Sequence, residues 1–187
     1  MELEKEIRFA VDDKMWQKAI SCTMDFKPKV SMTDITMGAF GRDSVAKTGK
    51  VFRVRQKPDK VTIEIKNKIE DGWQEEAIQI DSVDKGVSFF TLAGLKPYLY
   101  IARTREVKKF KNLKIFFDDV ELLGKYIEIE YQDSVDAQNE IKEFCSMCEI
   151  NGVEQPMYGT IINEKYETDN VFRLAFEQRL SDLIKNI

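Results

Sequence analysis

The sequence predicts an α+β fold: a closed antiparallel eight-stranded β-barrel with a charged interior, covered outside by helices. Three observations lead there. Segments with period-two alternation recur through about residues 2–132, whereas residues 134–187 carry helical spacing. Charges on the alternating segments come as same-face pairs at i and i+2, sorted by sign: Glu4 and Glu6, Arg53 and Arg55, Arg103 and Arg105, Glu128 and Glu130. The intervening positions are largely apolar, namely Val54, Ile63, Ile65, Ile127 and Ile129. A single such strand is an ordinary solvated face. Many together, on a sheet whose apolar side is buried under helices, need an interior in which opposite charges from different strands face one another.

The elements follow in order. Residues 2–11 alternate, with Glu4, Glu6 and Arg8 on one face and Leu3, Ile7 and Phe9 on the other. Asp12 caps a helix running to about Met24, in which Trp16, Ala19, Ile20 and Met24 recur at helical spacing. Residues 30–40 form a strand and 41–49 a loop. Strands at 50–56 and 61–66 flank the turn signal Lys57-Pro58-Asp59, and a short strand covers 74–80. Ser82 caps a helix through Leu95 that ends near Gly94. Strands at 100–110, 113–120 and 126–132 complete the set. A helix starting at Ser134 or Asp136 ends before Gly152, with Ile141, Phe144, Cys145 and Cys148 on one stripe. Residues 156–187 supply two shorter helices. No linker or repeat interrupts residues 1–187, which reads as one domain.

Composition narrows the chemistry. Of 187 residues, 43% are hydrophobic and 33% charged, which argues against disorder. A mean hydropathy of −0.40 and the lack of an uncharged apolar run near twenty residues argue against a membrane span. The N-terminus opens on Glu2, Glu4, Lys5 and Glu6, so a secretory signal is not expected and the protein reads as cytoplasmic. A net charge of −4 gives no global steering toward nucleic acid. With no histidine, triads built on imidazole and imidazole-ligated zinc are excluded. Cys145 and Cys148 form one C-x-x-C pair without a second, and read as buried helix cysteines rather than a redox or zinc site. Chemistry is left to carboxylates, Lys, Arg, Tyr or a bound metal.

The strand charges supply both halves of such chemistry. Arg8, Arg53, Arg55, Lys66, Arg103 and Arg105 are a dense set of donors suited to phosphate oxygens. Glu4, Glu6, Asp118, Glu128 and Glu130 are hard oxygen ligands suited to Mg²⁺ or Mn²⁺. Together they describe a ligand that is a polyanion carrying divalent metal, such as a nucleoside triphosphate or another triphosphate.

Several of these stretches resemble a family in its own motif order. Glu4-Lys5-Glu6-Ile7-Arg8-Phe9 is similar to an E-x-E-x-K signature, and Thr33-Asp34-Ile35 follows. Lys50-Val51-Phe52-Arg53-Val54-Arg55 is similar to an L-R-x-R strand, Thr62-Ile63-Glu64-Ile65-Lys66 to a T-x-x-x-K strand, and Arg103-Thr104-Arg105 to a K-x-R strand. Asp118-Asp119-Val120, Leu123-Gly124 and Tyr126-Ile127-Glu128-Ile129-Glu130 continue it, and Tyr158 stands where relatives often carry a serine-tyrosine pair. The chain thus resembles the CYTH superfamily, the adenylyl cyclase and thiamine triphosphatase domain, also called triphosphate tunnel metalloenzymes.

The resemblance implies a triphosphate tunnel with one or two Mg²⁺ or Mn²⁺ ions held by Glu4, Glu6, Glu128 and Glu130, and a triphosphate gripped by Arg8, Arg53, Arg55, Lys66, Arg103 and Arg105. Arg8, Lys66, Arg105 and Asp118 are the expected catalytic residues, Asp118 orienting a metal or the attacking oxygen. Arg8 and Arg103 stand where the family has lysine; the charge is kept, but a fork is not a point charge. The implied reaction is that of a class IV adenylyl cyclase, ATP to cyclic AMP and pyrophosphate. The alternative is hydrolysis of inorganic triphosphate, thiamine triphosphate or a nucleoside triphosphate. A polyphosphate-binding module without turnover is the third reading, disfavoured by the retained acidic ligands.

Overall fold

The computed structural model describes residues 4–70, 72–132, 134–185 and 187, with Glu4 and Gly72 described by backbone alone. In chain order the elements are β1 (Glu4–Ala10), α1 (Asp13–Ser21), β2 (Met24–Gly38), a 3₁₀ turn (Gly41–Asp43), α2 (Ser44–Thr48), β3 (Lys50–Gln56), β4 (Val61–Ile69), β5 (Gly72–Ile80), α3 (Val83–Leu92), β6 (Lys96–Phe110), β7 (Leu113–Val120), β8 (Gly124–Gln132), α4 (Val135–Met147), α5 (Tyr158–Thr168) and α6 (Asn170–Lys185). The eight strands are hydrogen-bonded in the order β1-β8-β7-β6-β2-β3-β4-β5.

The sheet has two end strands, β1 and β5, and no ladder joins them among the described residues, so the eight-stranded antiparallel sheet with helices is observed without the expected closure. Both end strands are charged, with Lys5, Glu6 and Arg8 on β1 and Glu75 and Glu76 on β5, and charge on an edge strand discourages further pairing. The charge pattern reported a face that must avoid the apolar core, and an open sheet satisfies that as well as a closed one.

The chain packs as two compact units, one spanning Met1–Val30 and Arg103–Ile161, the other Ser31–Ala102 and Ile162–Ile187. In the first, the apolar faces of β7 and β8 carry Ile115, Phe117, Ile127 and Ile129, all 1% exposed or less, and α1 and α4 cover them with Ala19, Phe144 and Cys148. Trp16 meets Phe117 edge to face at 5.1 Å. Complete burial of residues of this size contributes roughly 1.5–3 kcal/mol each. Cys145 on α4 and Cys148 at its C-cap are free thiols, and burial pushes them up to about 11 and about 12, well away from nucleophilic thiolates.

In the second unit, Ile35, Met37 and Val54 of β2 and β3 pack against Phe90 of α3. Gly86 lets α3 approach that closely, because a Cβ there would stand 2.7 Å from Ile80 Cδ1 and 3.0 Å from Val54 Cγ1. The caps fall where expected: Asp12 Oδ1 accepts from Met15 N at 2.8 Å, Ser82 Oγ from Lys85 N at 3.3 Å, and Ser134 Oγ from Ala137 N at 3.1 Å. Several boundaries differ: α1 ends at Ser21 rather than about Met24, and β6 begins at Lys96 rather than residue 100. β2 begins at Met24 rather than residue 30, because a stretch holding Asp25 and Pro28 reads as a breaker although its backbone is extended. The presumed loop 41–49 holds a 3₁₀ turn and the short helix α2.

Candidate functional site

Each unit carries one cluster of charge on the sheet face away from its apolar core, which α1 and α4 cover in the first unit and α3 in the second. In the first unit, register sets the members. Arg8 of β1 lies opposite Glu128 of β8, and Arg105 of β6 lies opposite Asp118 of β7. Alternation then points these side chains away from the Ile127–Ile129 core face. Arg105 grips Asp118 with two parallel bonds, Nε to Oδ1 at 2.6 Å and Nη2 to Oδ2 at 2.5 Å, and its Nη2 also donates to Glu128 Oε1 at 3.0 Å. Arg8 donates to Glu128 Oε2 from Nε at 3.0 Å and again from Nη2, and from Nη1 to the Pro156 carbonyl at 2.9 Å. Tyr158, the first residue of α5, donates its hydroxyl to Asp118 Oδ2 at 2.8 Å and lays its ring 4.3 Å from the Arg8 guanidinium carbon. Arg103 Nε is 3.8 Å from the same Asp118 oxygen.

These charges are buried: Asp118 is 0% exposed, Glu128 3% and Arg8 7%. Burial alone would push the Asp118 carboxyl up, but the Arg105 fork, the Arg103 charge and the Tyr158 hydroxyl together hold it below its ordinary value. Burial opposes the Arg105 charge, yet Asp118 and Glu128 more than offset this and raise it. Tyr158 is raised by burial and by the two carboxylates, so it is a neutral donor. Burial opposes the Arg8 charge as well, but Glu128, Tyr158 and Glu6 together outweigh it and raise its pKa.

The second unit repeats the device with other strands. Arg55 of β3 lies opposite Asp34 of β2 and grips it with Nε to Oδ1 at 2.6 Å and Nη2 to Oδ2 at 2.8 Å. Arg53 lies opposite Glu64 of β4 and donates to its Oε2 from Nε at 2.7 Å and from Nη2. Thr62 Oγ1 donates to the other Glu64 oxygen at 2.9 Å. Asp34 is 0% and Glu64 5% exposed. Toward β5 the cluster opens: Lys66 Nζ meets Glu75 at 2.5 Å, with both side chains about a third exposed. Burial opposes the Glu75 charge, but Lys66 and then Arg53 and Arg55 outweigh it and lower its pKa.

Every expected cation is therefore on a charged face: Arg8, Arg103 and Arg105 in one unit, Arg53, Arg55 and Lys66 in the other. Sequence reasoning missed Asp34 and Glu64 as members. Glu64 shares its face with Lys66, so the sorting of charge by sign fails on β4. For Asp34 the available signal was an isolated acid within the apolar and hydroxyl-bearing stretch 30–38, between Thr33 and Ile35.

The expected metal ligands divide. Glu6 and Glu130 lie opposite one another across β1 and β8, and Glu6 is half exposed, its side chain at 50%. Glu130 pairs with Lys114 and borders a cleft of about 440 Å³ shared with Tyr131, Asp136 and Glu140. These reachable hard oxygens fit a divalent ion. Asp118 and Glu128 instead spend their oxygens on guanidiniums and on Tyr158. Among the described residues no three carboxylates or thiols converge on one point, and the side chain of Glu4 lies outside them.

A mostly antiparallel sheet whose non-core face holds arginine forks clamped by buried carboxylates places the chain in a class of α+β proteins with a charged sheet face. Within it, residues 3–151 match the CYTH domain model, and the chain belongs to the CYTH family. It is 27% identical over 134 residues to a Methanocaldococcus jannaschii protein named "Putative adenylate cyclase", a match covering 68% of this chain and 76% of that one. Among solved structures it is similar to a conserved hypothetical protein of Pyrococcus furiosus, with a TM-score of 0.69 and 20% identity over 84% of this chain and 99% of that one. A Hippeastrum protein, described as a "Putative adenylyl cyclase" with a dominant triphosphatase activity, superposes with a TM-score of 0.63 and 15% identity over 87% of this chain and 94% of that one.

Proposed function

We propose that this CYTH protein is a metal-dependent enzyme acting on a triphosphate, with cyclisation of ATP to cyclic AMP and pyrophosphate as its reaction. One observation carries the reading: Arg55 and Arg105 are each held as a bidentate fork by a fully buried aspartate, Asp34 and Asp118. Buried carboxylates fix the direction of guanidiniums before any ligand arrives, and catalysis of phosphoryl transfer rests on such preorganised positive charge. A fold needing only stability gains little from ion networks of this size. The relative named for adenylate cyclase supports the choice of reaction.

In that reaction the ribose 3′-oxygen bonds to the α-phosphorus, the bridging oxygen leaves with pyrophosphate, and the hydroxyl proton passes to water. Arg53, Arg55 and Lys66 of the second unit's cluster, and Arg8, Arg103 and Arg105 of the first's, are each suited to bind phosphate oxygens and to stabilise charge gathering on a leaving group. Asp118, anionic and locked to Arg105, orients that guanidinium. Glu6 and Glu130, with Glu4 continuing their alternation in sequence, would hold Mg²⁺ or Mn²⁺, which when bound neutralises phosphate charge and lowers the pKa of an attacking hydroxyl.

Hydrolysis of a triphosphate by water is the second reading, favoured by the triphosphatase activity ascribed to the structurally similar Hippeastrum protein. Incubation with Mg²⁺ or Mn²⁺ and ATP, inorganic triphosphate or thiamine triphosphate, with products resolved, separates the two. Cyclic AMP with pyrophosphate supports cyclisation, orthophosphate supports hydrolysis, and binding without turnover leaves a binding module. R55K and R105K keep the charge and lose the fork, and each is expected to weaken triphosphate affinity roughly tenfold. The double substitution E4Q/E6Q is expected to abolish turnover without lowering the melting temperature; retained activity would show that these glutamates do not hold the metal.

A further inference from the structure

Arg53 and Arg55 belong to a longer row. The β3–β4 hairpin closes with Lys57 N donating to the Lys60 carbonyl at 2.9 Å, which keeps the chain extended one residue past Gln56. Alternation then sets Lys57 on the face of Arg53 and Arg55. Its electrostatic neighbours agree: Arg55 and Lys60 repel it, while Glu64 and Asp59 attract it more weakly. Lys57 is half-buried, and its ammonium makes no ion pair with any described residue.

That distinguishes it from every other cation of this cluster. Arg55 is matched by Asp34, Arg53 by Glu64, and Lys66 by Glu75. The carboxylates that hold those three also compete with any anionic ligand for them. Lys57 carries positive charge that no described residue meets in an ion pair. Burial, then Arg55 and Lys60, lower its pKa, so the group is under electrostatic pressure that an arriving anion would relieve.

We infer that Lys57 is a further phosphate-binding residue, which lengthens the row of β3 cations and so the length of phosphate chain the row tracks. This rests on the triphosphate reading above. Successive same-face positions on a strand lie about 6.6–6.8 Å apart. Arg53 and Arg55 span one such step; Lys57 adds a second. A short anion is served by the two arginines, and a longer one reaches Lys57. The residue therefore favours triphosphate over pyrophosphate.

The test is calorimetric titration of wild type, K57A, K57R and K66A with inorganic triphosphate and with pyrophosphate, each with magnesium. K57A is expected to weaken triphosphate binding about tenfold and pyrophosphate binding less than about threefold, and K57R to stay within about threefold of wild type for both. Because Lys57 has no ion pair to lose, the melting temperature of K57A should equal that of wild type. Wild-type triphosphate affinity in K57A, with loss in K66A, overturns the role of Lys57 alone. Equal loss for both anions overturns the selection by length. Failure of wild type to bind triphosphate overturns the triphosphate reading and Lys57 with it.

Discussion

The charge clusters of the two units are the same device finished in different ways. Each has an aspartate at 0% exposure forked by an arginine from the neighbouring strand, and a glutamate at 5% or less that takes a second arginine. In the first unit Tyr158 closes the arrangement by donating to Asp118 and stacking on Arg8, and the Pro156 carbonyl takes a further Arg8 donor. In the second the network runs out to Lys66 and Glu75, both part-exposed, and to Lys57, which makes no ion pair with a described residue. A network whose members satisfy one another mainly stabilises its own geometry. One that ends in exposed or unmatched cations has charge to offer a ligand. The first unit thus supplies rigidity to its guanidiniums, and the second supplies accessibility.

The largest effect tests the closed network. D118A leaves Arg105 buried without its fork and Tyr158 without an acceptor, and should destabilise by about 3–5 kcal/mol in urea unfolding. A cost below about 1 kcal/mol would remove the distinction between this cluster and a surface ion pair. Y158F comes next. It keeps the ring over Arg8 and deletes only the hydroxyl bond to a charged acceptor, so about 1.5–3 kcal/mol is expected, with triphosphate affinity of the second unit's cations unchanged.

Titration sharpens the comparison further, because the closed network contains groups whose protonation is coupled to folding. Asp118 is held below its ordinary value of 3.8, so its contribution is full above about pH 3.9 and is lost as pH falls through its lower folded value. Tyr158 is raised above 10.0, so its contribution is full below that pH and fades as pH rises through the folded value. Wild-type stability should therefore fall at both extremes. D118N should flatten the acid limb and Y158F the alkaline one, read as urea midpoints across pH; a limb that persists in its variant belongs to another group.

These pairs also show what the sequence could reveal. Period-two alternation exposed which face of each strand is charged, since Ile127 and Ile129 must point at a core that Glu128 and Glu130 avoid. It could not reveal whether the sheet closes, because edges and seams have the same alternation. Register was equally hidden: only the ladder shows that Arg8 faces Glu128 and that Glu64 faces Arg53. Attention to pairs of like sign favoured Arg53 and Arg55 and passed over Asp34, a lone acid whose importance comes entirely from the strand beside it. Tyr158 was legible as a residue of interest through family resemblance, but its bond to Asp118 joins positions 40 residues apart and depends on where α5 begins.

The smallest effect tests the open network. E75Q removes a carboxylate that sits on Lys66 at 2.5 Å and on Arg53 at 3.4 Å, with its side chain 37% exposed. Solvent screens a pair of that kind, so unfolding free energy should change by no more than about 0.5 kcal/mol. The same carboxylate competes with phosphate oxygens for the same donors, so its loss should raise affinity for inorganic triphosphate by about twofold, the equivalent of a screened pair. A gain in affinity without a gain in stability is the signature of charge arranged for a ligand. If E75Q instead lowered both, Glu75 would be organising Lys66 rather than competing for it, and the second unit's cluster would be closed in the same sense as the first.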